Sequence, residues 1–248
     1  MEVRGKIACV IGATGGIGKN VVTALAEKGV NLILVSRDMT SLDSLERDIK
    51  NFKITISKYT CDVSRFDSIR QLVHNISKDY KHLDLLFHLA GIGVYKYLGD
   101  IQREDWQLTM DINLNSVFYI TQGLLTLLKK SEKAYVIASG SGMGKIALSG
   151  RSAYCTSKFA LRGLMLSLAK EFKHSNINFV HLTLGSVLTT FGPLSLTEKK
   201  RKHDSGKGYL EPGWLASHII KRIENETLEA ETPIYPKHYF AESRRDKR

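Results

Sequence analysis

Short apolar segments alternate with helical patterns along almost the whole chain, and this alternation constrains the fold more than any other feature. The apolar segments contain few polar residues, which is typical of strands buried on both faces of a sheet. The intervening segments repeat apolar residues at helical spacing, as Ile17, Val21 and Leu25 do before Gly29. Strands are predicted at residues 6–11, 31–36, 54–60, 83–89, 134–138, 178–184 and 232–235, and helices at 16–28, 41–50, 64–80, 103–130, 152–174 and 212–224. The stretch 103–130 is either one helix or two.

This alternation predicts an α/β fold: a Rossmann-like, doubly wound parallel sheet of about seven strands with helices on both faces. A (β/α)8 barrel would need eight strand–helix units, one more than the sequence offers. The chain has 248 residues, of which 43% are hydrophobic and 25% charged, and this balance excludes a disordered chain. We expect a single domain over residues 1–248.

One segment, residues 188–211, breaks the alternation. It contains Gly192, Pro193 and the basic run at 199–202, and it is predicted to be a long irregular loop on the ligand-binding side. Long loops within compact domains are typically functional or mobile. The last residues, 242–248, are strongly charged and are predicted to be frayed.

Several classes of protein are disfavoured by the composition. Cys9, Cys61 and Cys155 are far apart and odd in number, so neither disulfides nor a metal site is predicted. No apolar run reaches the roughly 18 residues of a membrane span, and the first residues do not resemble a signal peptide, so a cytoplasmic location is expected. The net charge of +11 accompanies no nucleic-acid recognition motif, so no nucleic-acid partner is predicted.

A glycine-rich turn follows the first predicted strand. Gly12 allows a sharp turn, Gly16 allows backbone N–H groups to approach a phosphate, and Gly18 allows the next helix to pack on the sheet. The N-terminus of that helix adds a favourable dipole for a diphosphate. The alternative interpretation is a glycine-rich turn that binds no ligand. The position of this turn between a predicted strand and a predicted helix favours nucleotide binding. The predicted phosphate-binding residues are Gly12, Thr14, Gly15, Gly16, Ile17 and Gly18.

Tyr154 and Lys158 are four residues apart on a predicted helix, and their side chains therefore share one face. An ammonium near a phenol favours the phenolate, so we expect the pKa of Tyr154 to be lowered and the phenol to exchange protons near neutral pH. Ser141 lies 13 residues earlier, just after the fifth strand, where open α/β sheets bind ligands. Asn113 lies on the preceding long helix. Taken without Ser141 and Asn113, Tyr154 and Lys158 have an alternative interpretation as a chance pair on the surface of the helix.

The glycine turn, together with Asn113, Ser141, Tyr154 and Lys158 in this order and spacing, resembles the short-chain dehydrogenase/reductase family. The resemblance covers residues 5–190. It implies that Tyr154 is the general acid or base, that Ser141 stabilises the charge on the substrate oxygen, and that Lys158 lowers the pKa of Tyr154 and binds the nicotinamide ribose. Asn113 would hold a water molecule that relays protons to Lys158. The chain departs from the family pattern with Ile11 in place of Thr, His88 and Leu89 in place of two Asn, and Leu184 in place of Pro.

The end of the second strand predicts which cofactor binds. An NAD site usually has a carboxylate here for the ribose 2′-hydroxyl. This chain has Ser36 and Arg37 instead, and a guanidinium can pair with a 2′-phosphate. NADP(H) is therefore favoured over NAD(H), although the adjacent Asp38 is a weak argument against it. A free surface charge is the alternative for Arg37.

The resemblance implies further cofactor contacts after the third, fourth and sixth strands. Asp62 would lie beside the adenine ring, and its alternative is the N-terminal cap of the next helix. His88 is interpreted as structural, because a histidine at a strand end is more often structural than catalytic. Tyr154 and Lys158 also belong to the cofactor set, together with Asp62, Val63, Ala90, Gly91, Gly185, Val187 and Thr189.

The sequence thus predicts an NADP(H)-dependent reductase that acts on a carbonyl, or on a secondary alcohol in reverse. Two alternatives remain: a 3-oxoacyl-thioester reductase of fatty-acid type, and a non-catalytic NADP(H)-binding regulator. The basic run at 199–202 is either solvated or favours an anionic substrate. A homodimer or homotetramer paired through helices at about 105–130 and 152–173 is implied by the resemblance. The substrate pocket would be lined by residues 91–98, 143–148 and 191–210.

Overall fold

A computed structural model describes residues 1–205 and 208–245 of the protein. Its seven strands form one sheet in the order β3-β2-β1-β4-β5-β6-β7, and every neighbouring pair is parallel. The strands are β1 (Ile7–Ile11), β2 (Asn31–Ser36), β3 (Ile56–Thr60), β4 (Leu85–His88), β5 (Ala134–Ser139), β6 (Ile177–Leu184) and β7 (Glu231–Ile234). The predicted α/β class and doubly wound sheet are confirmed.

Nine α-helices are present in the described part of the chain. They are α1 (Gly18–Glu27), α2 (Met39–Ile49), α3 (Phe66–Asp79), α4 (Arg103–Met110), α5 (Ser116–Lys129), α6 (Ser152–Glu171), α7 (Leu196–Asp204), α8 (Pro212–Glu224) and α9 (Pro236–Arg245). The last helix extends into the segment predicted to be frayed, and residues 246–248 lie outside the described residues. Within the described ranges, none of these helices combines the length and apolar character needed to cross a bilayer.

Two apolar cores cover the two faces of the sheet. In β1, Ala8 and Val10 pack in the core that α1, α2 and α8 complete, while Cys9 and Ile11 pack in the core of α3, α5 and α6. Successive strand residues point to opposite faces, so a strand covered on both sides must be apolar at every position. This is the physical reason for the uninterrupted apolar segments in the sequence.

The helical stretch at 103–130, for which the sequence left open one helix or two, is divided in the structure. Between α4 and α5 the chain forms a π-helical turn at Asp111–Asn115, and Asn113 lies within it. Such turns inside α-helices are frequent at functional sites. The turn carries Asn113 to the carboxyl edge of the sheet.

The segment 188–211 is not wholly irregular, and this part of the sequence prediction is wrong. It contains α7, which begins with a capping box: Ser195 Oγ accepts from the Glu198 backbone N–H at 3.2 Å, and Glu198 Oε2 accepts from the Ser195 backbone N–H at 2.8 Å. The pattern Ser-x-x-Glu was visible in the sequence and signals a helix start. The sequence analysis did not predict this helix because its residues are mostly charged, so no apolar stripe repeats at helical spacing.

Candidate active site

A cavity of about 680 Å³ opens at the carboxyl ends of the central strands. It lies where the strand order reverses, between β1 and β4, which is the usual ligand crevice of an open α/β sheet. Gly12, with φ +84°, turns the chain after β1 so tightly that a Cβ on it would lie 2.6 Å from the Ala90 nitrogen. Only glycine fits this position, because both the backbone angle and the space exclude a side chain.

The glycine-rich turn forms a cradle at the start of α1. A Cβ on Gly18 would lie 2.1 Å from the Gly12 carbonyl oxygen, so the helix begins in direct contact with the turn. A Cβ on Gly16 would lie 2.7 Å from Thr189, which therefore borders the cradle from the loop after β6. Backbone N–H groups at the N-terminus of a ten-residue helix face this space, and they suit a diphosphate.

At the far end of the cavity, the groups predicted to select the cofactor lie together. The hydroxyls of Thr14 and Ser36 are hydrogen-bonded at 2.7 Å, and exposed Arg37 lines the cavity beside them. The Asp38 carboxylate caps α2 by accepting from the backbone N–H groups of Thr40 and Ser41. The Ser41 hydroxyl also donates to this carboxylate, and its bond, together with the backbone bonds, holds the pKa of Asp38 below its ordinary value. Asp38 therefore caps the start of α2.

Asp62 shapes the turn after β3. Its Oδ1 accepts from the Ser64 backbone N–H at 3.0 Å and from Ser64 Oγ at 2.7 Å, and these bonds lower the pKa of the carboxyl. The N-cap of α3 is Arg65, so the alternative that Asp62 is that cap is wrong. Val63, next in the chain, lines the cavity, whereas Asp62 does not.

Tyr154, Lys158 and Ser141 converge at the other end of the cavity. Tyr154 is 6% exposed and Lys158 is 4% exposed, and the Lys158 ammonium lies 5.7 Å from the centre of the Tyr154 ring. Lys158 Nζ donates to the Ser139 carbonyl oxygen at 2.9 Å, and Ser141 lies close enough to the Tyr154 hydroxyl to lower the pKa of that phenol. These three side chains are thus brought together as the sequence predicts.

The pKa of Tyr154 differs from the expectation. Burial raises it above the ordinary value of 10, although the nearby Ser141 side chain opposes this effect. Burial also lowers the pKa of Lys158 to about 8. The expected lowering of the Tyr154 pKa is therefore wrong for the protein as described, because the loss of hydration on burial is the largest effect on this phenol.

Asn113 braces the backbone beside this group. Its Oδ1 accepts from the Ile92 N–H at 2.9 Å, and its Nδ2 donates to the Ile92 carbonyl at 2.9 Å and to Ser157 Oγ at 3.0 Å. A Cβ on Gly91 would lie 3.3 Å from Asn113 Oδ1 and 3.8 Å from Lys158 Nζ. Asn113 therefore lies next to Lys158 without lining the cavity itself.

His88 connects β4 to α5. Its Nε2 is hydrogen-bonded to Thr121 Oγ1 at 2.9 Å, and burial lowers its pKa to about 3, so the ring is neutral at pH 7. It does not line the cavity. The imidazole therefore braces the sheet where the family pattern has asparagine.

Another buried histidine, His181 on β6, sets the course of the loop that carries Ser141. A Cβ on Gly140 would lie only 2.0 Å from His181 Nε2, so the ring fills the space that a side chain would need. Burial lowers the pKa of His181 to about 4. The loop that carries Ser141 thus passes over a neutral imidazole at a position where only glycine fits.

We expect Gly140→Ala to destabilise the protein by about 1–3 kcal/mol, because overpacking forces backbone or side-chain shifts. The shift would displace Ser141 and lower turnover as well. Gly142→Ala is the matched control for stability, since its Cβ would meet its nearest neighbours at 3.8 and 3.9 Å. Thermal unfolding of both variants measures the difference. Equal melting temperatures would show that the His181 ring moves aside easily.

Two residues of the cavity wall lie in predicted pocket loops but have contacts that the sequence did not predict. Tyr95 lies in the predicted pocket loop 91–98, but nothing in the sequence singled it out. Lys199 belongs to the basic run, yet it is only 5% exposed, and its ammonium donates to the carbonyl oxygens of Thr189, at 2.7 Å, and Phe191. Its buried position lowers its pKa. Lys200 and Arg201 of the same run are exposed, so the run does not act as one charged patch.

Most predicted site residues line the cavity, including parts of all three predicted pocket loops. Gly18, Asp62 and Asn113 lie behind it and support its wall. The predicted residues that line it are Gly12, Thr14, Gly15, Gly16, Ile17, Ser36, Arg37, Val63, Ala90, Gly91, Ser141, Tyr154, Lys158, Gly185, Val187 and Thr189.

A family model described as short chain dehydrogenase matches residues 6–199. The chain belongs to the short-chain dehydrogenase family. Among its relatives, an uncharacterised oxidoreductase of Staphylococcus saprophyticus is 27% identical over 92% of this chain and 94% of its own. A 3-oxoacyl-[acyl-carrier-protein] reductase of Thermotoga maritima is 28% identical over 82% of each chain.

The fold itself is shared with solved structures. An alcohol dehydrogenase from the archaeon Thermococcus sibiricus, complexed with 5-hydroxy-NADP, superposes with a TM-score of 0.82. It is 23% identical, and the match covers 93% of this chain and 95% of that one. The resemblance inferred from the sequence is therefore confirmed at the level of family and fold, and the protein is an oxidoreductase of this family.

Proposed function

We propose that the protein is an NADP(H)-dependent oxidoreductase that reduces a carbonyl to a secondary alcohol, or catalyses the reverse, with Tyr154 as general acid or base. One observation carries this proposal: Tyr154, Ser141 and Lys158 meet in a cavity whose other end is a dinucleotide cradle. Family membership supports hydride transfer as the type of reaction.

The cavity fits NADP(H). The Gly12–Gly18 cradle would hold the diphosphate, Arg37 would pair with the 2′-phosphate, and Lys158 would bind the nicotinamide ribose. The NADP derivative bound to the Thermococcus relative supports the same choice. When bound, the reduced cofactor supplies the hydride.

The residues of the chain would handle the proton. Ser141 and Tyr154 hold the substrate oxygen between their hydroxyls, and Tyr154 gives its proton to that oxygen as the alcohol forms. Protonated Lys158 then stabilises the phenolate that remains, before Tyr154 is reprotonated from solvent. Because burial keeps Tyr154 protonated at neutral pH, the site favours reduction there, and oxidation is expected to become faster as the pH rises.

Arg37→Ser is expected to weaken NADPH binding about 10- to 100-fold while leaving NADH binding unchanged. The reason is the loss of a charge-assisted hydrogen bond, worth about 1.5–3 kcal/mol, that only a 2′-phosphate can accept. Titration of NADPH and NADH fluorescence measures both affinities. Arg47→Ser, on the exposed face of α2, is the control. An equal loss for both cofactors would contradict the assignment of Arg37.

A panel of carbonyl compounds tests the proposed activity. NADPH oxidation, followed by absorbance, would be measured with aldehydes, cyclic ketones, diketones and acetoacetyl thioesters, with Tyr154→Phe and NADH in parallel. The Thermotoga relative favours one second candidate, a 3-oxoacyl-thioester reductase, and preferred turnover of the thioesters would support it. NADPH binding without turnover of any compound would favour a non-catalytic regulator.

Exposed apolar side chains support the proposed homodimer or homotetramer. Trp106 and Leu108 on α4, Phe118 on α5 and Phe159 on α6 are each 40–44% exposed. They lie on the helices for which pairing is proposed, and exposed apolar patches commonly mark interfaces. Sedimentation equilibrium would give the number of subunits.

A further inference from the structure

The wall around Tyr154 is apolar and aromatic. It is formed largely by the loops after β4 and β5 and by the segment before α7. Several of its side chains remain open to solvent: Ile146 is 66% exposed, Leu148 is 49% exposed and Phe191 is 40% exposed. Large apolar groups that line a cavity and remain exposed are suited to cover an apolar ligand.

Two aromatic rings flank the reactive phenol. The ring centres of Tyr95 and Phe191 lie 5.8 Å and 5.9 Å from that of Tyr154, at interplanar angles of 67° and 49°. Aromatic rings prefer such tilted or edge-to-face contacts over parallel sandwiches. A flat ring attached to the substrate carbonyl could make the same contacts with Tyr95 and Phe191 while its oxygen meets Tyr154.

The position of Tyr95 is fixed by its surroundings. The Arg151 guanidinium lies 3.9 Å from the centre of the Tyr95 ring. A Cβ on Gly93 would lie 2.4 Å from the Tyr95 hydroxyl oxygen, and a Cβ on Gly192 would lie 3.6 Å from the same oxygen. The hydroxyl therefore packs against both glycines. The stacked cation and the two glycines hold the ring in place without a ligand.

The described charged residues that line the cavity offer no free cation at the substrate end, and Arg151, which stacks on Tyr95, is not among the lining residues. Among its described lining residues, none carries a carboxylate, and the cations are Arg37, Lys158 and Lys199. Arg37 lies at the cofactor end, Lys158 donates to Ser139, and Lys199 donates to two backbone carbonyls. A substrate carboxylate would therefore lose its hydration here without gaining a free partner.

We propose that the substrate end of the cavity takes a neutral ketone or aldehyde whose carbonyl is joined to a flat apolar ring, with Tyr95 and Phe191 as the residues that select it. This inference rests on the proposed function, because it places the carbonyl oxygen at Tyr154. It replaces the hypothesis that residues 199–202 favour an anionic substrate.

Three compounds of one design test the proposal. Acetophenone carries a flat ring, cyclohexyl methyl ketone carries a puckered ring of the same size, and 4-acetylbenzoate adds a carboxylate to the flat ring. Acetophenone is expected to give the highest kcat/KM of the three. Calorimetric binding of each compound to the complex with NADP⁺, which cannot reduce it, gives a second readout.

Tyr95→Leu and Phe191→Leu are expected to raise KM and the dissociation constant for acetophenone about three- to ten-fold, and to change those for the cyclohexyl ketone much less. Tyr97→Leu is the matched control, since Tyr97 is on the same loop, is 68% exposed and does not line the cavity.

The proposal is overturned if 4-acetylbenzoate equals or exceeds acetophenone, or if the two ring variants affect both neutral ketones equally. Binding in the expected order without any turnover would support the site and contradict the proposed reductase. Turnover of other carbonyls with no binding of acetophenone would leave the reductase and overturn this inference alone.

Discussion

Replacing Tyr154 with Phe is expected to lower kcat for carbonyl reduction by about 10²- to 10⁴-fold, the usual contribution of a positioned general acid. The hydroxyl is the group that meets Ser141, and burial keeps it protonated at neutral pH. The phenyl ring would still fill the space between Tyr95 and Phe191. NADPH affinity is therefore expected to change far less than kcat.

The measurement is steady-state reduction of a substrate found in the carbonyl panel, with NADPH affinity measured separately by fluorescence. Tyr135→Phe provides the control, because it removes a hydroxyl from another buried tyrosine, on β5, away from the cavity. Unchanged turnover in Tyr154→Phe would show that another group donates the proton. Loss of NADPH binding together with turnover would instead indicate damage to the cavity.

Lys158→Met is expected to remove activity and at the same time make the protein more stable. Burial lowers the pKa of Lys158 from 10.5 to about 8, so the folded protein carries a disfavoured ammonium at neutral pH. A shift of this size corresponds to about 3 kcal/mol. Methionine keeps the apolar stem but loses the hydrogen bond to Ser139, so we expect a net gain of about 1–3 kcal/mol.

The size of this stability difference depends on pH. Below about pH 8 the Lys158 ammonium is charged in the folded state. The free energy of unfolding of the wild type is then reduced by the full cost of burying that charge. Between about pH 8 and 10.5 the unfolded state binds more protons than the folded state, so the wild type gains stability as the pH rises. The advantage of Lys158→Met is therefore expected to shrink across this range.

Thermal unfolding of the wild type and Lys158→Met at pH 7 and pH 10 measures the effect. Lys170→Met, exposed near the end of the same helix, is the control and should change stability by no more than about 0.5 kcal/mol. A lower melting temperature for Lys158→Met at pH 7 would show that its hydrogen bond outweighs its desolvation. Retained activity would contradict the role of Lys158 in supporting Tyr154.

The sequence predicted the sheet well because the signals for a parallel sheet are local. Uninterrupted apolar strands, helical periods and Gly29 at the end of α1 depend only on neighbours along the chain. The helix α7 was missed although Ser195 and Glu198 form a capping box, since that signal is short and the helix that follows is strongly charged.

The catalytic set was predicted for a different reason. Tyr154 and Lys158 are one helical turn apart, and Ser141 and Asn113 lie at spacings that resemble a known family. Pattern and spacing therefore identified these residues. They did not predict that burial raises the pKa of Tyr154, because desolvation depends on which distant segments cover the phenol.

By itself, then, the sequence determined the α/β class, the strands and the glycine cradle, which follow from short-range patterns, and it indicated the proposed catalytic residues through their resemblance to a family. Only the tertiary structure decided that Lys199 is buried and bonded to Thr189 and Phe191, that Tyr95 faces Tyr154, and that His181 leaves no room for a side chain at Gly140. These facts depend on contacts between residues far apart in the chain, and on the hydration that each group loses when such contacts form.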